Sequence, residues 1–364
     1  MRVLHCADVH LDAVFRGLAP EFSRRRRAAI RSSFSRLVAL AGELKVDALT
    51  IGGDLYEQEH SGQDTARFLA SCLGELSCPV LICPGNHDYF HSGSIYATTE
   101  WPQNVRVFQA GEFTPVEVGG LRVFGIAHTK PKGTRDLLSG FKALHGAGPA
   151  VALFHGSEQG QLQFQEQGKQ DHAPFREAEI EEAGFLFGLS GHFHTPRATD
   201  RLVYPGNPEP LTFGEEGVRG AVEVDFAQTP PQVKVHRVNT FTVTEAAVDV
   251  SGCEHSQALL DRVRERLPEL GDRAARLTLE GELALGVQLG PTELQDTLRR
   301  EGHCVSVISK ARPAFDLEEL SQSPDIRGQF VRGLLGRQDA DSAVVQDALR
   351  AGLEALRGEQ PAIL

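Results

Sequence analysis

Five apolar runs of strand length, each followed within three residues by Asp, Asn or His, constrain the fold of this chain more than any other feature. Short apolar runs bounded by polar residues are typical of strands in a sheet that is covered on both faces. In open α/β sheets, sites form at the carboxyl ends of such strands, so we expect one site there. The runs are 3–7, 48–51, 80–83, 151–154 and 185–189, and the polar residues that follow them are Asp8 and His10, Asp54, Asn86 with His87 and Asp88, His155, and His192 with His194.

Helical patterns alternate with these runs, which predicts parallel strands joined by right-handed crossovers and an α/β fold class. Ser23 is a candidate N-cap for a first helix that runs to about Gly42, with apolar residues at helical spacing. A second helix is expected over 62–76. Over 105–126, short apolar runs separated by glycine-containing pairs predict an antiparallel meander or hairpin.

The chain divides into three predicted parts. Residues 1–238 carry every polar cluster and form the first domain, with a boundary expected near 239–244. Residues 239–312 alternate strand and helix patterns, which predicts a small α+β domain. Residues 313–364 are predicted to be a linker, over about 311–323, followed by helices with an apolar stripe. Such helices either dock on their own domain or bind a partner protein.

The composition is that of a soluble globular protein, with 41% hydrophobic and 24% charged residues. No apolar run approaches the ~20 residues that span a bilayer, and the chain starts with a strand pattern instead of a signal sequence. We therefore expect a cytoplasmic protein with no membrane partner. The six cysteines include no C-x-x-C pair, which argues against a zinc site or disulfide framework. The net charge of −12 argues against a protein that coats DNA, although a nuclease whose bound metals carry positive charge stays compatible.

Seven of the residues at the strand ends offer nitrogen or oxygen ligands and no sulfur. Residues i and i+2 of an extended segment face the same way, so Asp8 with His10, and His192 with His194, are expected to reach one site. This set is too large for one catalytic ion with an open position and fits two divalent ions. Imidazole mixed with carboxylate favours Mn, Fe or Zn over Ca. Asp54, alone at its strand end, is the candidate bridging carboxylate. The seven ligands are Asp8, His10, Asp54, Asn86, His155, His192 and His194.

Two metals held in this way are suited to phosphoester hydrolysis, because they generate hydroxide at neutral pH and neutralise the phosphate. The leaving oxygen still requires a proton. His87 is not needed as a ligand, since adjacent side chains diverge from Asn86. We assign His87 to proton donation or phosphate contact, with Asp88 orienting its imidazole.

Four further residues are candidates for contact with the substrate. Arg24 and Arg25 open the first helix and are candidates for a phosphate-binding patch beside the first loop. The alternative for these arginines is a solvated helix face. Among the histidines outside the motifs, His128 and His172 are the first candidates for proximity to the site.

The order D-x-H, G-D, G-N-H-D, an isolated H and G-H-x-H resembles the calcineurin-like metallophosphoesterases. Within them it is closer to the DNA repair exonuclease branch, SbcD-like and YhaO-like; residues 8–12 with 15–18 are similar to the YhaO-like opening in particular. By motif the resemblance covers residues 1 to about 238. It implies a four-layer αββα sandwich, a small capping domain, and C-terminal helices that meet a coiled-coil ABC ATPase of the SbcC-like kind. It also implies a homodimer.

The resemblance further implies how the ligands divide, with His87 as the catalytic histidine. Two departures stand out. The nucleases of archaeal and eukaryotic break-repair complexes carry a histidine three residues after the bridging Asp, where this chain has Glu57. The Asp-Arg-Gly of related protein phosphatases is absent from 55–58. One metal would lie on Asp8, His10, Asp54 and His194, and the other on Asp54, Asn86, His155 and His192.

Three hypotheses follow for the function. The first is a Mn-dependent phosphodiesterase acting on DNA, a repair-type exonuclease or endonuclease that works with an ABC-type ATPase. The second is a phosphatase or nucleotide phosphodiesterase acting on small phosphoesters, which the acidic composition favours and the extra domains disfavour. The third is a scaffold that keeps the metal site for stability, which the complete ligand set disfavours.

Overall fold

The structure, a computed structural model, describes residues 1–15, 18, 20–132, 137–143, 146, 148–160, 172–270, 273–284, 287, 289–340 and 342–356. It divides into two compact units, Met1–Val243 and Thr244–Leu364. Residues 16 and 17 of the YhaO-like opening, and residues 357–364 of the C-terminal segment, lie outside the described residues. Among the helices described, none combines the length and the apolar character needed to cross a bilayer.

The first sheet of the N-terminal unit contains three of the five predicted strands. Its strands are β1 (Arg2–Cys6), β2 (Ala48–Ile51), β3 (Val80–Ile82), β4 (Val105–Val107), β11 (Gly220–Asp225) and β12 (Gln232–Arg237). They lie in the order β12-β11-β1-β2-β3-β4. The strands β1 to β4 are parallel, and β11 and β12 continue the sheet in antiparallel pairing. The carboxyl ends of β1, β2 and β3 therefore meet at one edge.

The second sheet contains the other two predicted strands. Its strands are β5 (Thr114–Val118), β6 (Leu121–Gly125), β7 (Ala150–His155), β8 (Phe187–Gly191), β9 (Arg197–Ala198) and β10 (Leu202–Tyr204). They lie in the order β5-β6-β7-β8-β10-β9. The central strands β6, β7, β8 and β10 are parallel. The hairpin predicted over 105–126 is present only as β5 and β6, joined by Gly119 and Gly120 at positive φ; β4 instead extends the first sheet.

The two sheets pack face to face, and helices cover their outer faces. The inner layer joins Leu81 and Val222 of the first sheet to Leu153 and Phe187 of the second, all buried. The helices of this unit are α1 (Pro20–Leu44), α2 (Gln63–Gly74), α3 (Ile95–Thr98) and α4 (Ala178–Glu182). The helices α1 and α2 pack on the first sheet, and α4 packs on the second. Each fully buried side chain of Leu or Phe size stabilises such layers by about 1.5–3 kcal/mol. The predicted αββα sandwich is confirmed.

The first helix begins earlier than predicted. It starts at Pro20, and Ser23 lies inside it as a buried residue whose hydroxyl donates to the Phe15 carbonyl (3.4 Å). Proline is favoured at the first helical position because its ring fixes φ and its missing N–H has no helical partner there. The expectation that Ser23 caps the helix is therefore wrong. The helix also continues past Gly42 to Leu44.

The C-terminal unit has its own small core. A three-stranded sheet packs with two helices around buried Leu277 and Leu294. The sheet has the order β13 (Val243–Asp249), β14 (Ala274–Glu280) and β16 (Val305–Ser309), and the helices are α5 (Ser256–Leu270) and α6 (Pro291–Arg300). The predicted linker over 311–323 is partly structured, because Arg312–Pro313 pairs in parallel with Glu282–Leu283 and a helix follows. The other elements are β15 (Glu282–Leu283), β17 (Arg312–Pro313), α7 (Leu317–Gln322), α8 (Ile326–Leu335) and α9 (Ala343–Leu356).

Candidate metal centre

The loops after β1, β2 and β8 turn sharply to present their side chains. Asp8, His10, Asp54 and His192 all have positive φ, at 54°, 50°, 52° and 111°. A residue with a side chain held in such a conformation costs on the order of 1–3 kcal/mol, and this strain is concentrated at functional sites. Asp8 and His10 do converge, as predicted, but the predicted extended i, i+2 backbone is wrong. Left-handed backbone conformations bring the two side chains together.

Two glycines allow these loops to approach closely. A methyl group on Gly85 would collide with the carboxylate of Asp54, and one on Gly191 would collide with the carbonyl of Gly52. Only glycine lacks the side-chain carbon that would block these contacts. The glycines of the G-N-H-D and G-H-x-H motifs thus allow their backbone to pack closely against the loop that carries Asp54.

The first half of the centre is a pair of imidazoles that face each other. His10 Nδ1 donates to Glu57 (2.7 Å), and His194 Nδ1 donates to Glu215 (2.8 Å). The two Nε2 atoms lie 3.2 Å apart, and Asp8 offers a carboxylate oxygen within 4.8 Å of both imidazoles. With each Nδ1 bonded to a carboxylate, a neutral ring at either position presents its Nε2 lone pair, as a metal ligand requires. Two such nitrogens and a carboxylate oxygen could hold one cation.

The second half is centred on His155. Its Nδ1 donates to the Gly52 carbonyl (2.8 Å), which leaves Nε2 directed at Asn86 Oδ1 (3.1 Å) and Asp54 Oδ2 (3.3 Å). The same Asp54 oxygen lies 3.8 Å from His10 Nε2. The structure thus brings Asp54 between the two halves, which is the position that a bridging carboxylate needs.

The electrostatics of Asp54 and the two imidazoles depend on their mutual proximity. Burial alone would raise the pKa of Asp54, but the neighbouring His155, His87 and His10 lower it well below its usual range. Burial would lower the pKa of His155, and the negative charge of Asp54 outweighs this effect and raises it. The pKa of His10 is lowered by burial, which keeps this ring neutral and able to act as a ligand.

His192 lies beside the second half. Its ring centroid is 5.2 Å from that of His155, and its backbone N–H donates to the Asp8 carboxylate (3.0 Å). His172 lies 5.5 Å from His192 on the side of the cleft. The structure therefore gathers all seven predicted ligands in one place. Their buried nitrogen and oxygen donors fit divalent cations of the Mn, Fe or Zn type.

Glu57 takes the place that the sequence suggested for Asp88. His87 Nδ1 donates to Glu57 (2.9 Å). The Asp88 carboxylate instead accepts from the backbone N–H groups of Gly85 (2.6 Å), Leu55 (2.7 Å) and Asp54 (3.2 Å) and from the Tyr96 hydroxyl (2.6 Å). The prediction that Asp88 orients His87 is therefore wrong, because the turn at this motif directs the carboxylate inward, under the site.

A second buried network holds His194 from behind, and no local sequence pattern indicates it. The Glu215 carboxylate that accepts from His194 also accepts from Asn207 Nδ2 (2.5 Å) and from the Leu211 N–H (2.5 Å). The Arg219 guanidinium donates to the His194 carbonyl (2.7 Å). Outer partners of this kind fix the orientation of a ligating imidazole and raise its basicity.

The site opens into a cleft of about 640 Å³. His10, Asn86, His87 and His194 face this cleft, together with Glu57 and with Tyr89, Lys132, Phe15 and Leu211. Imidazole and carboxylate groups thus lie at its base, and aromatic and apolar side chains contribute to its walls.

The predicted substrate residues are placed differently. Of the four, His172 lines the cleft. His128 is buried behind the site, where its Nε2 donates to the His155 carbonyl (2.7 Å) and burial lowers its pKa to about 4. Arg24 and Arg25 are exposed on α1 and are not among the described residues that line the cleft. The neighbouring Arg26 is buried over the ring of Phe241 (4.0 Å).

Several known proteins have sequences similar to that of this chain. The chain is 24% identical to the uncharacterized metallophosphoesterase YhaO of Bacillus subtilis, over 76% of this chain and 71% of that protein. It is 27% identical to the DNA double-strand break repair protein Mre11 of Methanopyrus kandleri, over 98% of this chain and 82% of that protein. It is 26% identical to the DNA double-strand break repair protein Mre11 of Haloferax volcanii, over 88% of this chain and 70% of that protein. Residues 1–196 match the model of the calcineurin-like phosphoesterase family, which confirms the resemblance seen in the motifs. The chain belongs to the calcineurin-like phosphoesterase family.

Proposed function

We propose that this protein is a two-metal, Mn-dependent phosphodiesterase that cleaves DNA as a repair-type nuclease. The observation that carries the proposal is the cluster of buried imidazole, amide and carboxylate groups that converge around Asp54. Buried polar groups are costly unless they are paired, and nitrogen and oxygen groups arranged in this way bind divalent cations well. The DNA substrate is supported by the similarity to two DNA double-strand break repair proteins, whose sequences align with 88% and 98% of this chain.

The residues of the chain divide into ligands and a proton donor. When bound, two divalent cations supply Lewis acidity that activates water and offsets phosphate charge. Asp54 contributes to both positions. His87, which lines the cleft and whose Nδ1 is bonded to Glu57, contributes the proton for the leaving oxygen. One position uses Asp8, His10 and His194, and the other uses Asn86, His155 and His192.

Substrate contact is assigned to the cleft. Lys132 and His172 lie at its wall and offer donors to phosphate oxygens, while Tyr89 and Phe15 offer aromatic faces. Aromatic faces bind unpaired bases by stacking, independently of sequence. With a net charge of −12, the chain gains little from general attraction to DNA, so contacts inside the cleft must carry recognition.

The test compares substrates and metals with the purified full-length chain. We expect hydrolysis of single-stranded and duplex-end DNA with Mn²⁺, less with Mg²⁺, and none with EDTA. Asp54→Ala protein, purified in parallel, controls for contaminating nuclease. Turnover of a chromogenic bis-ester and a nucleotide, with no cleavage of any oligonucleotide, would instead establish the small-phosphoester alternative.

The C-terminal unit is proposed to bind the coiled coil of an ABC-type ATPase, as the family resemblance implies. Val344 at the start of α9 is 78% exposed and Ile326 at the start of α8 is 66% exposed. We expect Val344→Glu to weaken co-purification with such an ATPase. Val235→Glu, at an exposed valine of the N-terminal unit, is the matched control and should leave it unchanged. A homodimer remains a prediction from the resemblance.

A further inference from the structure

Glu57 links the two halves of the chemistry through one carboxylate. Its Oε1 accepts from His10 Nδ1 (2.7 Å) and its Oε2 accepts from His87 Nδ1 (2.9 Å). We propose that Glu57 is a positioning residue that holds the metal-facing ring of His10 and the cleft-facing ring of His87 in the same tautomer at once. The inference rests on the proposed function, because it assigns His10 as a ligand and His87 as the proton donor.

The donor and acceptor count supports this role. The two carboxylate oxygens of Glu57 each lie within hydrogen-bond distance of one imidazole, at 2.7 Å from His10 Nδ1 and 2.9 Å from His87 Nδ1. A carboxylate only accepts hydrogen bonds, and both Nδ1 atoms must therefore carry protons. The Nε2 of His10 is then free to bind a cation, and the Nε2 of His87 is directed away from Glu57. The two rings lie nearly perpendicular, with centroids 4.8 Å apart, so one carboxylate serves both without crowding.

The backbone fixes Glu57 relative to both loops. Its own N–H donates to the Leu11 carbonyl (3.0 Å), one residue after His10, and the N–H of Gln58 donates to the His87 carbonyl (3.2 Å). The side chain is 21% exposed, so it lies at the edge of the site where it also meets the cleft. Backbone hydrogen bonds thus connect the Glu57 segment to the loop after β1 and to the loop after β3. A carboxylate held on both sides in this way has little freedom to release either ring.

The decisive variant is Glu57→Gln, which keeps the size but replaces one acceptor oxygen by a donor. The amide oxygen can accept from one Nδ1–H, and its NH₂ group faces the other, so one ring must move its proton to Nε2 or turn away. If that ring is His10, its metal-binding nitrogen is blocked. If it is His87, the ring loses its orientation in the cleft. Loss of such an outer partner typically lowers metal affinity or activity by about 10- to 100-fold.

The experiment reads the tautomers directly and does not depend on a DNA substrate. Nitrogen-15 NMR of the metal-free wild type is expected to show His10 and His87 both protonated at Nδ1. In Glu57→Gln one of them changes. A change at His10 should accompany a 10- to 100-fold loss of Mn²⁺ affinity by calorimetry. A change at His87 should accompany a similar loss of kcat on a chromogenic bis-ester at saturating Mn²⁺, with KM within about threefold.

Glu223→Gln is the matched control, because Glu223 also accepts from a histidine, His236 (2.8 Å), in the same unit but outside the cleft. It should leave metal affinity and kcat unchanged. Glu57→Asp, whose shorter side chain cannot span both rings, should show the same class of loss and replaces Glu57→Gln if that variant fails to fold. Unchanged tautomers, affinity and kcat in a folded Glu57 variant would overturn the inference. Absence of DNA cleavage by the wild type would refute the nuclease proposal alone, since the NMR and metal readouts remain.

Discussion

The N-terminal unit contains two layers of buried polar groups that are built in opposite ways. In the upper layer, at the strand ends, groups that can bind a cation face one another: His10 Nε2 lies 3.2 Å from His194 Nε2, and His155 Nε2 lies 3.1 Å from Asn86 Oδ1. In the lower layer each group meets its complement: Asp88 accepts from three N–H groups and a hydroxyl. Buried polar groups are costly unless they are paired. The lower layer is therefore complete as folded, whereas the upper layer is proposed to be completed by bound cations.

Asp54→Ala should break the upper layer most severely, because it removes the acceptor shared by both halves. We expect both metals to be lost and hydrolysis to fall by more than about 1,000-fold, since metal charge contributes several kcal/mol to such reactions. Metal content and turnover of a bis-ester are measured together. A variant that keeps two metals per chain would show that Asp54 does not bridge.

His87→Ala should separate proton transfer from metal binding within the same layer. His87 is bonded to Glu57 and is 37% exposed at the cleft, unlike the buried ligands. We expect kcat to fall by about 100- to 1,000-fold while metal content is retained, because general acid catalysis typically contributes this much. The readouts are metal analysis and kcat at saturating Mn²⁺. Loss of metal from this variant would mean that His87 is a ligand.

The difference between the layers also explains what the sequence could reveal. The ligands of the upper layer follow apolar strands directly, so a local pattern was enough to find Asp54, His155 and their counterparts. The partners that orient them depend on which loops meet in space. Glu57 touches His10 only because its segment runs beside the first loop, and Glu215 lies 21 residues after His194 with no periodicity to mark it.

The errors have the same origin. Asp88 was assigned to His87 because the two are adjacent in sequence, but the turn directs its carboxylate to the backbone of Asp54 and Leu55. The i, i+2 argument for Asp8 and His10 assumed extended backbone, whereas both have positive φ. The start of α1 was placed at Ser23 because serine is a common cap, although Pro20 precedes it. In each case a rule based on neighbouring residues fails because the path of the backbone in three dimensions decides the contact.

Asp88→Asn tests whether the lower layer is structural. Burial and the nearby Asp54 charge raise the pKa of Asp88 to about 6. The Asp88 carboxylate nevertheless accepts a hydrogen bond from each of four neighbouring groups, three backbone N–H groups and the Tyr96 hydroxyl. The amide of Asn turns one acceptor into a donor and leaves at least one buried N–H unpaired. We expect the free energy of unfolding to fall by about 2–4 kcal/mol, since each such group costs roughly 1–3 kcal/mol. Denaturant unfolding in EDTA measures this loss.

Tyr96→Phe is the control for Asp88→Asn, because it removes one of the four donors and leaves the carboxylate and its N–H partners intact. Its expected cost is about 1 kcal/mol, the usual net value of one hydrogen bond. Equal losses for the two variants would indicate that the backbone contacts of Asp88 contribute little, and the contrast between the layers would then weaken.

His5 is a second buried group whose partners are complementary, and its effect is expected in the pH dependence of unfolding. His5 lies between the sheets, with Nδ1 bonded to Thr50 Oγ1 (2.9 Å) and Nε2 to the Ser190 carbonyl (3.1 Å). Burial lowers its pKa from 6.5 to about 4. Between these values the unfolded chain binds a proton that the folded chain does not. The contribution to stability is thus fully present above pH 6.5 and is lost as the pH falls towards 4.

His5→Gln should therefore flatten the pH dependence of unfolding. One group contributes at most about 1.4 kcal/mol per pH unit, so the slope between pH 4.5 and 6 should fall by up to that amount. Denaturant unfolding in EDTA at several pH values gives the slope, and His60→Gln, at an exposed histidine of the same unit, should leave it unchanged. A slope that His5→Gln does not alter would mean that the folded protein accepts a proton at His5. The interior at His5 would then hold positive charge, as the upper layer is proposed to do.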